Sequence, residues 1–409
     1  MITNLKDIEK LLQEHDNYRS KCLNLIAAEN YASVSIRKYL SSDFSNRYGN
    51  YATLHPEERE YTGNRYIHEF EMATHELIKD VFKTTYVDLR PIGGHMAGVA
   101  TVLGLTAPGD LVLEISGKDW GHELVWCMRN DVQFEQSIRL DFLPFDNNKI
   151  LDIDKLNKMI NNEKPKLIIL GGSGTLFPEP TDKLKSITGK YNIFLGYDFS
   201  HVAGLIAGGV FPNPLEQGAD VVFGSTHKSF PGPQGGMVLS HNIEIIKKIG
   251  DALFPALITS HHLNRLPALA ATLIEMKKYG NAYGKQIIKN SKSLGKAMEE
   301  VGFKVIASEK GYSETHLILV DVTEFGNSAD VARLLERANI LCSDDWGRLG
   351  TQIRIGTSEI TRRGMEEKEM IEIADSFKRV LMDREEPSKI VKDVGSFTRN
   401  FPGIRYSLD

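Results

Sequence analysis

A lysine placed directly after an apolar run is the first residue in this chain that could do chemistry. The run DVVFGST (220–226) leads through Ser225, Thr226 and His227 to Lys228, and the Gly/Pro-rich turn SFPGPQGG follows. A short, uninterrupted apolar run reads as a strand buried on both faces. Open α/β sheets bind their ligands at the carboxyl ends of such strands. A lysine held there can be desolvated and act as an amine nucleophile; the alternative is a surface lysine in a loop. Thirty residues earlier, in YDFSHVAGLIAGG (197–209), Asp198 ends another apolar run and His201 follows. A carboxylate in that place needs a cationic partner, and a protonated pyridinium nitrogen would serve; the alternative is an aspartate capping the next helix. Amine and acid together fit a pyridoxal-phosphate site, in which the lysine makes a Schiff base and the acid pairs the ring nitrogen.

Three weaker signals join these. Gly93 and Gly94, in PIGGHMA (91–97), precede a helical stretch and could offer backbone N–H groups to a phosphate. His122, in DWGH (119–122), could stack on a flat ring or be a satisfied loop histidine. Arg354 lies inside the alternating run QIRIGT. An inward guanidinium there suits a carboxylate, which arginine grips with two N–H groups; the alternative is an edge arginine facing solvent. No G-x-G-x-x-G, Walker or CxxC motif competes. The pair His261-His262 reads as a turn rather than a metal site, because no third ligand is evident.

The elements that must position these residues follow from the pattern. Apolar runs recur at 110–116, 166–172, 192–198, 220–226 and 235–240, with helical spacing between most of them. That alternation predicts an α/β fold: a large domain with a mainly parallel sheet flanked by helices. Helices are expected over 4–22, 66–82, 243–254 and 266–299. Beyond them, GFKVIAS, HLILVDV, ILCS and QIRIGT with helices near 328–338 and 364–382 predict a small C-terminal α/β domain with a mostly antiparallel sheet. The expected division is an N-terminal helical arm (1–30), a large domain (31–275) and a small domain (276–409), joined through the long helix. With 409 residues the chain can bury a large core. A net charge of −5 argues against a nucleic-acid partner, and the basic stretch 285–296 reads as a solvated helix face. No apolar stretch approaches the ~18 residues of a membrane span. Three scattered cysteines, Cys22, Cys127 and Cys342, suggest a reducing, cytoplasmic setting.

Taken together the motifs resemble serine hydroxymethyltransferase, a fold-type-I pyridoxal-phosphate enzyme, over nearly the whole chain. The matching segments are NLIAAEN (24–30), NRYGNY (46–51), REYTGNRY (59–66), RPIGGHMA (90–97), DWGH (119–122), DFSHVAGLIAGG (198–209), STHKSFPGPQGG (225–236) and IRIGTSEITRRGM (353–365). GGSGTLFPEP (171–180), GPQGG and TSHHL (259–263) are most similar to the archaeal-type branch. The resemblance implies that Lys228 carries pyridoxal 5'-phosphate, that Asp198 holds the pyridinium nitrogen, and that His201 lies by the ring's 3′-oxygen. His122 would stack on the ring. Gly93 and Gly94 would bind phosphate, with Ser173, Ser225 and His227 also at the cofactor. Thr226 would support proton traffic. Arg354 would take the substrate carboxylate, with Glu29, Tyr48 and Tyr61 near the substrate. In the family the two tyrosines reach across a dimer interface, so a homodimer or tetramer with shared sites is implied.

Departures from the family pattern fall on the one-carbon side. Ala28 replaces a serine that helps hold substrate, and the family's proton-handling glutamate is Asn50. An amide cannot exchange a proton at neutral pH as a carboxyl does. Glu57, Glu58 or Glu60 could substitute, since TLHPEERE carries an insertion; the loop before Arg354 is short. The resemblance therefore implies serine hydroxymethyl transfer to a tetrahydropterin such as tetrahydrofolate. The alternative is a folate-independent aldolase or transaldolase acting on another β-hydroxy or α-substituted amino acid. A non-catalytic homologue is disfavoured by intact Lys228, Asp198, His122 and Arg354.

Overall fold

The computed structural model describes residues 2–130 and 137–409. The chain divides into two compact units. One holds Asn30–Lys285 and the tail Tyr406–Asp409; the other holds the residues up to Glu29 together with Gln286–Arg405.

The first unit is built on a seven-stranded sheet. Its order is Tyr86–Asp88, Gly236–Ser240, Val221–Ser225, Phe194–Asp198, Leu167–Leu170, Leu111–Glu114 and Arg139–Phe142. From Val221–Ser225 to Arg139–Phe142 every pairing is parallel. Gly236–Ser240 then runs antiparallel to both of its neighbours. The segment between Ser225 and Gly236 is a tight turn, too short for the helical crossover that a parallel return needs. The interior strands are buried on both faces, which is why they read as continuous apolar runs. Helices Gly94–Leu105 and Ile243–Leu253 cover one face, where Ala97, Ile246 and Ile249 pack with Leu167, Ile169, Val221 and Phe223. Arg139–Phe142, an edge strand of mixed exposure, has no such run and escapes the sequence pattern.

The second unit holds a four-stranded antiparallel sheet, ordered Ser343–Asp344, Gln352–Gly356, Leu317–Asp321 and Lys304–Val305. ILCS divides at its middle. Ile340–Leu341 pairs in parallel with Leu23–Asn24, so part of the N-terminal arm is a strand of this unit, and only Ser343–Asp344 joins the sheet. The helix expected near 364–382 is observed as Glu369–Leu381, and a separate short helix, Ser358–Arg362, precedes it and ends before Gly364 with φ +98. A further helix, Pro387–Thr398, was passed over in the sequence, although proline at its first position and Ile390, Val394 and Phe397 at helical spacing announce it. The long helix is observed as Arg265–Glu300.

Candidate active site

Strand register brings the two strongest sequence signals together. Asp198 lies beside Phe223 on the neighbouring strand, so the carboxylate and the Lys228 segment leave the sheet at the same edge. The two strand ends are stitched through Ser200. Its N–H donates to Asp198 Oδ1 (2.9 Å), and its Oγ accepts the Ser225 N–H (2.9 Å). The turn beyond closes on itself. Thr226 N–H donates to Gly235 O (3.1 Å) and its hydroxyl to Pro233 O (2.6 Å), so its proton is committed to the turn. Asn30 clamps the lysine's backbone, its Nδ2 donating to Lys228 O (2.8 Å) and to Tyr283 Oη (2.9 Å). Lys228 itself is half-buried.

Helix Gly94–Leu105 starts against the same strand end. A Cβ on Gly94 would stand 2.7 Å from Ser225 N, so only glycine permits this approach. Gly93, the N-cap residue, has no side chain to accept from the first turn, which leaves its N–H groups open. Ser225 Oγ is buried beside it and meets no hydrogen-bonding partner. Open N–H donors and an orphaned hydroxyl at one helix start form a fitting cradle for a phosphate.

The imidazoles gather nearby. His122 Nε2 lies 3.0 Å from His95 Nδ1, with the rings edge to face at 5.2 Å. Burial lowers the His95 pKa and the Asp198 charge opposes that shift. Burial, with a smaller push from Lys228, takes His227 down to about 4, so its imidazole is neutral beside the lysine. His201 is buried. Ser173 sits in the loop after Leu167–Leu170, which passes so close to Asp198 that a Cβ on Gly171 (φ +78) would be 2.0 Å from Asp198 O.

Tyr48 and Tyr61 pair edge to face at 5.3 Å, and both are exposed. Asn50 is buried, its Nδ2 donating to Glu60 Oε2 (2.8 Å). Of the other two glutamates, Glu58 accepts from Thr53 Oγ1 (2.6 Å) and Glu57 lies 3.6 Å from His55. One cluster here was not read from the sequence. Glu71, fully buried, pairs with Arg59, accepts from Tyr51 Oη (2.6 Å) and lies 3.3 Å from His261 Nε2. His261 is thus no mere turn residue: it is buried in an ionic cluster, and its backbone bridges to Gly49. A carboxylate at position 71, in register with buried Ile67, Thr74 and Ile78, was the readable sign.

In the other unit Arg354 is buried within the antiparallel sheet, with Nη2 3.5 Å from Ser343 Oγ. Burial, and then the charge of Arg348, pull its pKa down to about 9. Glu29 pairs with Arg19 at 2.5 Å.

The serine hydroxymethyltransferase family model matches residues 3–377. The chain is 40% identical to the serine hydroxymethyltransferase of Pyrococcus abyssi, over 97% of this chain and 95% of that one. It is also 40% identical to that of Saccharolobus islandicus, over 99% and 95%. Among solved structures it resembles L-threonine transaldolase from Pseudomonas fluorescens, with a TM-score of 0.91, 27% identity, and coverage of 99% of this chain and 94% of that one.

Proposed function

The chain belongs to the serine hydroxymethyltransferase family, and from that premise we propose that it makes and breaks the Cα–Cβ bond of L-serine or a close β-hydroxy amino acid, with a tetrahydropterin such as tetrahydrofolate carrying the one-carbon unit. It is a pyridoxal-phosphate-dependent transferase of the fold-type-I class. The observation that carries the reading is the cradle at Gly93, Gly94 and the orphaned Ser225 hydroxyl, set three residues from Lys228 and one strand from Asp198.

Bound pyridoxal phosphate supplies an electron-poor ring that stabilises the carbanion left at Cα. The protein's part is to hold and to protonate. Lys228 would anchor the cofactor through its amine, and Asp198 would keep a proton on the ring nitrogen. His201 would lie by the 3′-oxygen and His122 would cover the ring, with Ser173, Ser225 and His227 completing the pocket. Thr226 fixes the turn that aims Lys228. Arg354 receives the substrate carboxylate, with Glu29, Tyr48 and Tyr61 at the substrate. Exposed Tyr48 and Tyr61 support a homodimer with shared sites.

A second reading, a pterin-independent aldolase or transaldolase, is favoured by one observation: the amide of Asn50 stands where the family places a carboxyl. Glycine formation from L-serine by the cofactor-loaded protein, with and without tetrahydrofolate, tests both. Carrier-dependent turnover is expected. Carrier-indifferent turnover, or none in a protein that still binds the cofactor, selects the second reading. Lys228→Ala should abolish the cofactor's bound absorbance; its persistence would remove the assignment altogether.

A further inference from the structure

Trp346 lies in the short turn before the Arg354 strand and is half exposed. Its backbone adopts φ +53, a region that bulky side chains avoid unless the surroundings hold them there. Asp345, buried, holds this turn, accepting from Ser328 Oγ (2.9 Å), Thr351 N (3.0 Å) and Gln352 N (3.3 Å). Two guanidinium groups lie over the indole: Arg354 at 4.8 Å from the ring centroid and Arg348 at 5.1 Å. An aromatic face attracts a cation without using its N–H donors. A ring contact uses the face of a guanidinium, whereas a carboxylate is gripped at its N–H edge, so holding the plane and binding an anion draw on different parts of the group. Two cations gathered at one ring also make the place favourable to an anion, with Asp344 only partly opposing them.

We propose that Trp346 is a positioning residue: its indole holds the Arg354 guanidinium in the orientation that receives the substrate's α-carboxylate, and Arg348 adds attraction for that anion. The proposal rests on the reading of Arg354 as the carboxylate receiver. It explains why a strained tryptophan in the turn meets a buried arginine on the strand that follows.

Calorimetric titration of glycine into the cofactor-loaded protein tests it. Losing a desolvated cation–π contact in Trp346→Ala should weaken glycine binding about tenfold or more, and raise KM for the amino acid while kcat at saturation stays near wild type. Trp346→Phe, which keeps an aromatic face, should recover most of the affinity and also serves if the alanine variant folds poorly. Glycine should alter indole fluorescence in the wild type and not in Trp346→Phe. Unchanged glycine affinity in Trp346→Ala, with affinity lost in Arg354→Lys, overturns the positioning role alone. Unchanged affinity in Arg354→Lys removes the carboxylate assignment and this proposal with it, so the two failures are told apart.

Discussion

At the scale of single residues, the proposed one-carbon transfer calls for a carboxylate that Asn50 does not supply. Three glutamates lie within ten residues of Asn50, and the geometry separates them. Glu58 is engaged by Thr53, Glu57 lies toward His55, and Glu60 alone among the three touches Asn50. Asn50 keeps a buried Oδ1 that meets no partner, so the amide is half satisfied and its free acceptor marks where a donor would bind. If the protein uses a tetrahydropterin, Glu60→Gln should lower kcat by roughly 10²-fold, the ordinary loss for a positioned acid–base group. Glu57→Gln and Glu58→Gln should stay near wild type. Steady-state kinetics with and without the carrier reads this directly. A carrier-independent reaction that ignores Glu60→Gln would place the chemistry in the transaldolase class. No spacing rule separates these three glutamates in the sequence; only the fold of the 48–61 segment does.

At the scale of elements, the strand Leu111–Glu114 carries an unusual end. Glu114 is buried and accepts from Val125 N (3.0 Å) and Trp126 N (2.9 Å), in the first turn of helix Leu124–Asn130 just after His122. Burial pushes its pKa up to about 7, against the stabilising pull of those N–H groups. The native state therefore binds this proton more tightly than the unfolded chain does. Its contribution to stability is fully present below the unfolded pKa of about 4.5 and is lost as pH rises through 7. The shift corresponds to about 3 kcal/mol. Urea unfolding of wild type and Glu114→Gln across pH 4.5 to 8 checks this. The stability difference should move against the wild type as pH rises and level off above 7. A flat difference would mean that the carboxyl is already ionised at low pH. The same element-scale view explains what the sequence pattern caught. Strands covered on both faces announce themselves, whereas Arg139–Phe142 at the sheet edge does not.

At the scale of the molecule, one surface is left without a covering. Helix Leu5–Arg19 buries none of its residues, and Leu5, Ile8, Leu11 and Leu12 stand exposed along it. Leu5, Ile8 and Leu12 fall on one face at helical spacing. An apolar stripe of this kind is ordinarily buried against a partner, which fits the proposed homodimer. Light scattering should give twice the 45.8 kDa chain mass. Removing the chain through Arg19 should shift the protein towards monomer and, if sites are shared, lower activity with it. A full-length protein that runs as a monomer and is fully active would remove both the dimer and the shared site.

What the sequence determined by itself is the layering of the fold and the motifs proposed to hold the cofactor. Lys228, Asp198, Gly93 and Gly94 each sit in a short contiguous motif at the end or start of an element, so local pattern and position are enough to single them out. Tertiary structure alone decided the rest. The Glu71 cluster draws on residues 51, 59, 71 and 261, the Asn50–Glu60 contact joins two arms of a loop, and Arg354 meets Trp346 across a tight turn. Each depends on side-chain atoms meeting within a few ångströms after distant backbone has packed. Hydrogen bonds and ion pairs lose their strength over that same distance, so a sequence pattern can name such residues without saying which of them meet.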